Sequence, residues 1–212
     1  MDPRINFFII GAAKSGTTSL FEYLRQHPDI FLPLVKENRF FLEDDFYKQG
    51  DSFLGNFYND LQNEQVIGGA CAEYLYFPHT GQRIAEYNQR IRLITVLRNP
   101  IDLAYSAYWF ARTNGWESCG TFEEALKNEL ARSKGSFIEK AALTYLGHGH
   151  YYDQLKRWSF RLWSGNPQDV VVDVVLELKA NMQRIAYDSI LVAANRVPWS
   201  GEAGAVSSAE PV

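Results

Sequence analysis

The N-terminal segment combines an apolar strand, a loop of small residues and a helix, and this order restricts the possible folds most strongly. Residues 5–10 are almost all strong β-formers, which predicts a buried strand that ends at Gly11. Residues 11–18 are small, polar and glycine-bearing, which is typical of a tight loop. Residues 18–27 then place apolar side chains on one helical face before Pro28 ends the helix. The predicted order is strand, tight loop, helix.

Strands and helices alternate along the rest of the chain. Residues 91–97 have the strongest strand pattern after the first, and a helical pattern over residues 101–112 follows. The predicted strands are apolar throughout, which is typical of a parallel α/β sheet that helices cover on both faces. Such sheets bind ligands at the carboxyl ends of their strands. The other predicted elements are short helices within 40–58, strands over 66–72 and 169–176, and helices over 80–88, 151–163 and from the N-cap Thr121 to 132.

Composition and charge exclude several classes of protein. The chain is 46% hydrophobic, which is too apolar for disorder, and its 212 residues suffice for one domain, predicted over residues 1–200. Residues 201–212 are small and aperiodic, which predicts a disordered tail. A net charge of −4 argues against nucleic-acid binding, and two cysteines exclude a disulfide framework. Without a membrane-spanning apolar run or a basic leader, we expect a cytoplasmic protein.

The loop after the first strand has the composition of an anion site. Its small residues allow backbone N–H groups to turn towards an anion, and the following helix adds the positive end of its dipole. Lys14 supplies a point charge, and Thr17 and Thr18 supply hydroxyl donors. The loop is not a Walker A motif, because its lysine comes two residues before Gly16. The alternative interpretation is an ordinary strand-to-helix turn with a solvated lysine.

Arg98 and Ser106 predict a second anion site. Arg98 lies at the carboxyl end of the predicted strand 91–97, and Ser106 follows in the next helix. If this strand lies near the first one, the guanidinium and the hydroxyl converge close to the loop and bind a second phosphate. The alternatives are a surface ion pair for Arg98 and a packing role for Ser106. A nucleotide kinase would need an acidic residue at a strand end to hold Mg²⁺, and no predicted strand ends in one.

Three segments resemble signatures of the sulfotransferases that use 3′-phosphoadenosine-5′-phosphosulfate (PAPS). Residues 10–20, IGAAKSGTTSL, resemble the loop that binds the 5′-phosphosulfate, and residues 97–108, LRNPIDLAYSAY, resemble the 3′-phosphate signature. Residues 36–41, KENRFF, are similar to an element of the heparan sulfate and bacterial glycan-type branch. The resemblance implies an α/β fold with a P-loop-like parallel sheet and helices on both faces. It also implies transfer of a sulfuryl group from PAPS, without a metal, to a hydroxyl or amine acceptor, with a carbohydrate as the favoured class.

The resemblance also implies a role for each matched position. Glu37 would be the catalytic base that takes the acceptor's proton, and Lys36 would lie near the transferring group. Lys14 would stabilise the charge that develops on the leaving phosphate. Arg98 and Ser106 would bind the 3′-phosphate. The residues that would hold the 5′-phosphosulfate are Lys14, Ser15, Gly16, Thr17, Thr18 and Ser19.

Several other side chains have two interpretations. His148 and His150 could form a metal pair, but no third ligand is evident nearby, and a loop is the preferred interpretation. His79, at a predicted helix start, is a reserve candidate for the base. Glu73 and Tyr74 follow the strand at 66–72 and are candidates for contact with the acceptor. Core packing is the preferred interpretation for the nearby aromatic residues Tyr76, Phe77, Tyr105, Tyr108, Trp109 and Phe110.

The C-terminal part departs from the family pattern. Sulfotransferases of this family usually carry a further basic, glycine-bearing loop that closes over the nucleotide, and no such loop follows Ala180. This departure leaves open a non-catalytic remnant that binds the nucleotide without transfer, and a nucleotide kinase is the weaker rival. The sequence predicts neither the identity of the acceptor nor the oligomeric state.

Overall fold

The computed structural model of the chain describes residues 5–162 and 172–176. Its strands are β1 (Phe7–Gly11), β2 (Ile30–Phe31), β3 (Val66–Ala70), β4 (Arg92–Leu97) and β5 (Val172–Leu176). They form one sheet in the order β2-β3-β1-β4-β5, and every neighbouring pair is parallel. The predicted parallel α/β sheet is therefore confirmed. The predicted tail at 201–212 and the segment after Ala180 lie outside the described residues.

The helices of residues 5–162 agree with most of the predicted ones. They are α1 (Thr17–Leu24), α2 (Asp44–Tyr47), α3 (Asp51–Gly55), α4 (Thr80–Tyr87), α5 (Pro100–Thr113), α6 (Phe122–Arg132), α7 (Phe137–Ala142) and α8 (Tyr151–Leu162). The first helix ends at Leu24 instead of residue 27, because the residue before a proline disfavours the helical conformation. Strand β2 and helix α7 were not predicted, since two and six residues are too few to show a hydrophobic period. No helix in this range is long and apolar enough to cross a membrane.

Strand β1 lies in the middle of the sheet and supplies side chains to two apolar layers. Phe8 and Ile10 are buried in one layer, whereas Phe7 and Ile9 are buried in the other. This alternation explains why every residue of the strand is apolar or glycine. Helix α1 covers the second layer with Leu20, Phe21 and Leu24. The first layer is covered from α3, α4, α5 and α8 by Leu54, Ile84, Leu103 and Trp158.

Two glycines of β3 make room for aromatic side chains of β1. Gly68 and Gly69 pair in register with Phe7 and Phe8. A Cβ atom on Gly68 would collide with the Phe7 ring, and one on Gly69 would collide with the Phe8 ring. The two aromatic rings therefore lie where β3 has no side chains, and this allows the two strands to pair without a clash.

Strands β1 and β4 are direct neighbours, which is the arrangement that brings the two predicted anion sites together. The register between them shifts after Ile9, and the N–H of Ala12 donates to the Val96 carbonyl at 2.8 Å. The loop that follows β1 is thus attached to the end of β4. Arg98, the residue directly after β4, lies beside this loop and donates to the Lys14 carbonyl at 3.2 Å.

Candidate active site

A cavity of about 570 Å³ opens where β1, β3 and β4 end. Lys14 follows β1, Glu73 follows β3 and Arg98 follows β4, and all three line the cavity. This is the edge of a parallel sheet at which α/β proteins bind their ligands. The predicted site residues that line the cavity are Lys14, Gly16, Thr17, Thr18, Lys36, Glu37, Arg98 and Ser106. Ser15 is buried and Ser19 is exposed on α1, and neither of them lines the cavity.

The loop between β1 and α1 lines this cavity together with the start of α1. Lys14 and Gly16 adopt left-handed backbone conformations, with φ angles of 63° and 95°. Gly16 is the N-cap of α1, so no side chain caps the helix, and its first turn holds no acidic residue. The first N–H groups of a helix have no partner within the helix, and they carry the positive end of its dipole. An anion in the cavity would accept hydrogen bonds from these N–H groups, and its charge would interact favourably with the helix dipole.

Lys14 and Arg98 are neighbouring cations at the wall of the cavity. The Arg98 guanidinium donates to the Lys14 carbonyl at 3.2 Å. Burial lowers the pKa of the Lys14 ammonium, and the nearby positive charge of Arg98 lowers it further. Within the described part of the chain, neither side chain forms an ion pair with a carboxylate. A bound anion would relieve the repulsion between the two cations.

Glu37 lines the same cavity from the segment between β2 and α2. Its backbone forms a parallel bridge with Ala70, the last residue of β3. One carboxylate oxygen accepts from the Ala72 N–H at 2.8 Å, and the other contacts the Lys36 ammonium. The side chain is still 40% exposed. A carboxylate that is oriented by two donors and open to the cavity is placed to accept a proton from a bound molecule.

Arg39 and Glu73 form a second charged pair that the sequence prediction did not combine. The Arg39 guanidinium lies 3.6 Å from Glu73 and 3.4 Å from Glu43, and both Arg39 and Glu73 line the cavity. Burial raises the pKa of the Glu73 carboxyl, and the Arg39 charge opposes this increase. The prediction for Tyr74 is wrong, because that side chain is fully buried and its hydroxyl donates to Asn38 at 3.0 Å.

Two of the candidate histidines, His148 and His79, contact other groups of the protein. His148 lines the cavity, but its ring stacks on Tyr76 with centroids 3.9 Å apart, and burial lowers its pKa to about 4. His150 is exposed. A ring nitrogen of His79 lies 2.9 Å from the Leu42 carbonyl, and His79 does not line the cavity. In residues 5–162 and 172–176, no cluster of three or more His, Cys, Asp or Glu side chains could hold a metal ion.

One face of α5 lines the cavity and carries an aromatic residue that the sequence prediction assigned to the core. The cavity-lining residues of this helix are Leu103, Ser106, Ala107 and Phe110, which share one face. Phe110 is 45% exposed, and Tyr105 and Trp109 are also about half-exposed, so the core prediction is wrong for these three. It is confirmed for Tyr108. Because Ser106 and Phe110 are four residues apart on one helix, this spacing could have identified Phe110 as a residue of the cavity.

A buried ion pair fixes the loop that brings Trp116 to the cavity. Glu117 is fully buried at its side chain, and its carboxylate meets both terminal nitrogens of Arg132 on α6, at 2.6 and 2.8 Å. The Tyr145 hydroxyl and the Cys119 N–H donate to the same carboxylate at 2.6 and 2.8 Å. The Thr121 cap of α6 is confirmed, with a reciprocal bond between Thr121 and Glu124. Trp116, the residue before Glu117, therefore belongs to a loop that the ion pair between Glu117 and Arg132 holds in place.

Proteins of known identity that resemble this chain in sequence include sulfotransferases. The sulfotransferase domain family matches residues 4–172. Membrane-associated sulfotransferase kil1 of Dictyostelium discoideum is 35% identical over 109 residues, which are 50% of this chain and 23% of that protein. Human heparan sulfate glucosamine 3-O-sulfotransferase 6 is 32% identical over 100 residues, 47% of this chain and 28% of that protein. This chain thus aligns with about a quarter of the length of these relatives.

The fold comparison leads to the same family. A crystal structure of a sulfotransferase from Alicyclobacillus acidocaldarius superposes with a TM-score of 0.66 and 30% sequence identity, and the match covers 90% of this chain and 78% of that one. The matched family region contains both loops that line the cavity and the segment that carries Glu37. The chain belongs to the sulfotransferase domain family.

Proposed function

We propose that this chain transfers a sulfuryl group from PAPS to a hydroxyl or amine group of a carbohydrate acceptor. The observation that carries the proposal is the charge pattern of the cavity. Lys36 and Arg39 each have a carboxylate partner there, whereas Lys14 and Arg98 have none among the described residues. Two neighbouring unpaired cations beside the uncapped start of α1 fit a ligand with two separate anionic groups, and PAPS is such a ligand.

The residues present fit the donor. Its phosphosulfate would lie against the N–H groups at the start of α1, with Lys14, Thr17 and Thr18 beside it. Its 3′-phosphate would lie at Arg98 and Ser106, which come from the end of β4 and from α5. Arg98 has terminal N–H groups available besides the one that donates to the Lys14 carbonyl, and a guanidinium matches the geometry of a phosphate.

The acceptor would react from the side of Glu37. An acceptor oxygen or nitrogen forms a bond to sulfur while the bond from sulfur to the bridging phosphate oxygen breaks. The proton of the acceptor passes to the Glu37 carboxylate, and the leaving phosphate keeps the electron pair. Lys14 and the loop N–H groups stabilise the charge that develops on the bridging oxygen. General-base help of this kind is worth about 10²–10⁴-fold in rate.

The carbohydrate class of the acceptor is supported by relatives that are named for heparan sulfate, among them the human heparan sulfate glucosamine 3-O-sulfotransferase 6. It is also supported by the aromatic residue Trp116 at the cavity, because aromatic faces pack well against sugar rings. The cytoplasmic location stays a prediction from the sequence, and cell fractionation tests it.

The test is transfer of radiolabelled sulfuryl from PAPS to a panel of oligosaccharides with free hydroxyl and amino groups. The wild-type chain should label at least one of them without added metal. Glu37→Gln should reduce turnover about 10²–10⁴-fold with donor binding retained. Glu22→Gln, an exposed substitution on α1, is the control and should leave turnover unchanged. Donor binding without any transfer would instead support the non-catalytic remnant.

A further inference from the structure

Lys14 has an aromatic partner in the cavity. Its ammonium lies over the ring of Phe110, with the nitrogen 3.8 Å from the ring centroid. Both residues line the cavity, and they come from elements that are far apart in the sequence. This distance is well within the range at which the negative face of an aromatic ring attracts a cation.

The environment of Lys14 explains why such a partner matters. Burial and the neighbouring Arg98 both disfavour the charged form of Lys14, which lowers its pKa. A carboxylate would oppose this effect, but it would also neutralise the charge and occupy the place of an anionic ligand. The Phe110 ring stabilises the ammonium without supplying a negative charge or accepting its N–H groups as strongly as an oxygen would. The ammonium therefore stays available to a bound anion.

Phe110 is itself held in place. It belongs to α5, a helix of 14 residues, and the ring of Trp116 meets it edge-on at 5.6 Å between centroids. The Trp116 N–H donates to the Ala111 carbonyl at 2.9 Å. Glu117, the next residue, anchors this turn through its buried ion pair with Arg132. An anchored ring can fix the position of a flexible lysine side chain, which otherwise loses considerable entropy when it is ordered.

We propose that Phe110 is a positioning residue of the donor site, which holds the Lys14 ammonium in place and directed at the phosphosulfate of PAPS. The role rests on the proposed function, because it acts through the contact between Lys14 and the donor. This positioning role depends on the aromatic face of the ring. Another aromatic side chain at position 110 would therefore preserve the role, and an aliphatic side chain would not.

The test is a thermodynamic cycle for binding of adenosine 3′,5′-bisphosphate, measured by titration calorimetry. Phe110→Leu should weaken binding about fivefold. Phe110→Trp should bind within about twofold of the wild type, because it retains an aromatic face. In a Lys14→Met background, Phe110→Leu should have no further effect. Trp109→Leu removes a half-exposed aromatic residue from the same helix that does not line the cavity, and it should bind like the wild type.

Two results would overturn this role while the proposed function stands. The first is wild-type affinity of Phe110→Leu, and the second is an equal loss with and without Lys14, which would show that Phe110 acts on the shape of the cavity. Absence of binding by the wild-type chain would overturn the proposed function and this role together. Thermal unfolding of each variant identifies any loss that is due to misfolding.

Discussion

Replacement of Glu117 by glutamine tests the buried ion pair that supports the aromatic side of the cavity. Burial raises the pKa of the Glu117 carboxyl, but the donors around it outweigh burial and bring the pKa from 4.5 down to about 2. Since one pKa unit corresponds to about 1.4 kcal/mol, the charged carboxylate contributes about 3 kcal/mol of stability at neutral pH. Breaking a buried pair by removal of one partner costs a similar amount, about 3–5 kcal/mol. We therefore expect Glu117→Gln to lower the Tm by about 6–12 °C.

The pH dependence of this effect has a defined sign. Because the folded-state pKa lies below the unfolded value, the contribution is present above pH 4.5 and is lost as the pH falls towards 2. The stability difference between the wild type and Glu117→Gln should therefore narrow by about 1 kcal/mol between about pH 5 and pH 3.5. Urea unfolding followed by tryptophan fluorescence measures this difference at each pH. The exposed Glu123→Gln on α6, the helix that carries Arg132, is the control. A loss below about 1 kcal/mol at neutral pH, or a stability difference independent of pH, would show that the charged Glu117 carboxylate does not stabilise the fold.

Two further substitutions test how the fold positions the site, and both are measured by urea unfolding. Gly68→Ala should destabilise the chain by about 1–3 kcal/mol, because the new methyl group collides with the Phe7 ring. An unchanged urea midpoint would show that β1 and β3 separate freely. Thr121→Ala removes the side-chain cap of α6 and should cost about 1 kcal/mol, whereas Thr113→Ala, an exposed substitution at the end of α5, should cost less. Equal effects of the two threonine substitutions would contradict the capping role.

Local sequence patterns were sufficient to predict the elements that build the donor side of the site. Residues 5–18 carry the strand and loop in one continuous segment, so their pattern needs no long-range information. The contact between Arg98 and the loop depended on the order of the strands, and it became a prediction only if β1 and β4 were neighbours. That condition was met only in the fold, because a single sequence does not contain the strand order.

The residues that the sequence prediction missed are brought to the cavity by tertiary packing. Arg39 pairs with Glu73 across a gap of 34 residues, and Phe110 meets Lys14 across 96. Neither pairing leaves a periodic signal. The aromatic residues of α5 suggested a buried helix by composition, yet only one side of this helix faces the core, and Phe110 lies on the side that faces the cavity. Burial of one helical face is decided by neighbouring elements, which composition does not describe.

In the proposed function the cavity binds a nucleotide with two separate anionic groups, and one titration measures this binding. Adenosine 3′,5′-bisphosphate is titrated into the wild-type chain and into Arg98→Ala, with ATP as the competing nucleotide. We predict that the bisphosphate binds more tightly than ATP, and that Arg98→Ala weakens it about ten- to a hundredfold, as expected for loss of charged hydrogen bonds. Undetectable binding of the bisphosphate, or equal binding of both nucleotides by both proteins, would show that the cavity is not a site for a nucleotide with two separate anionic groups.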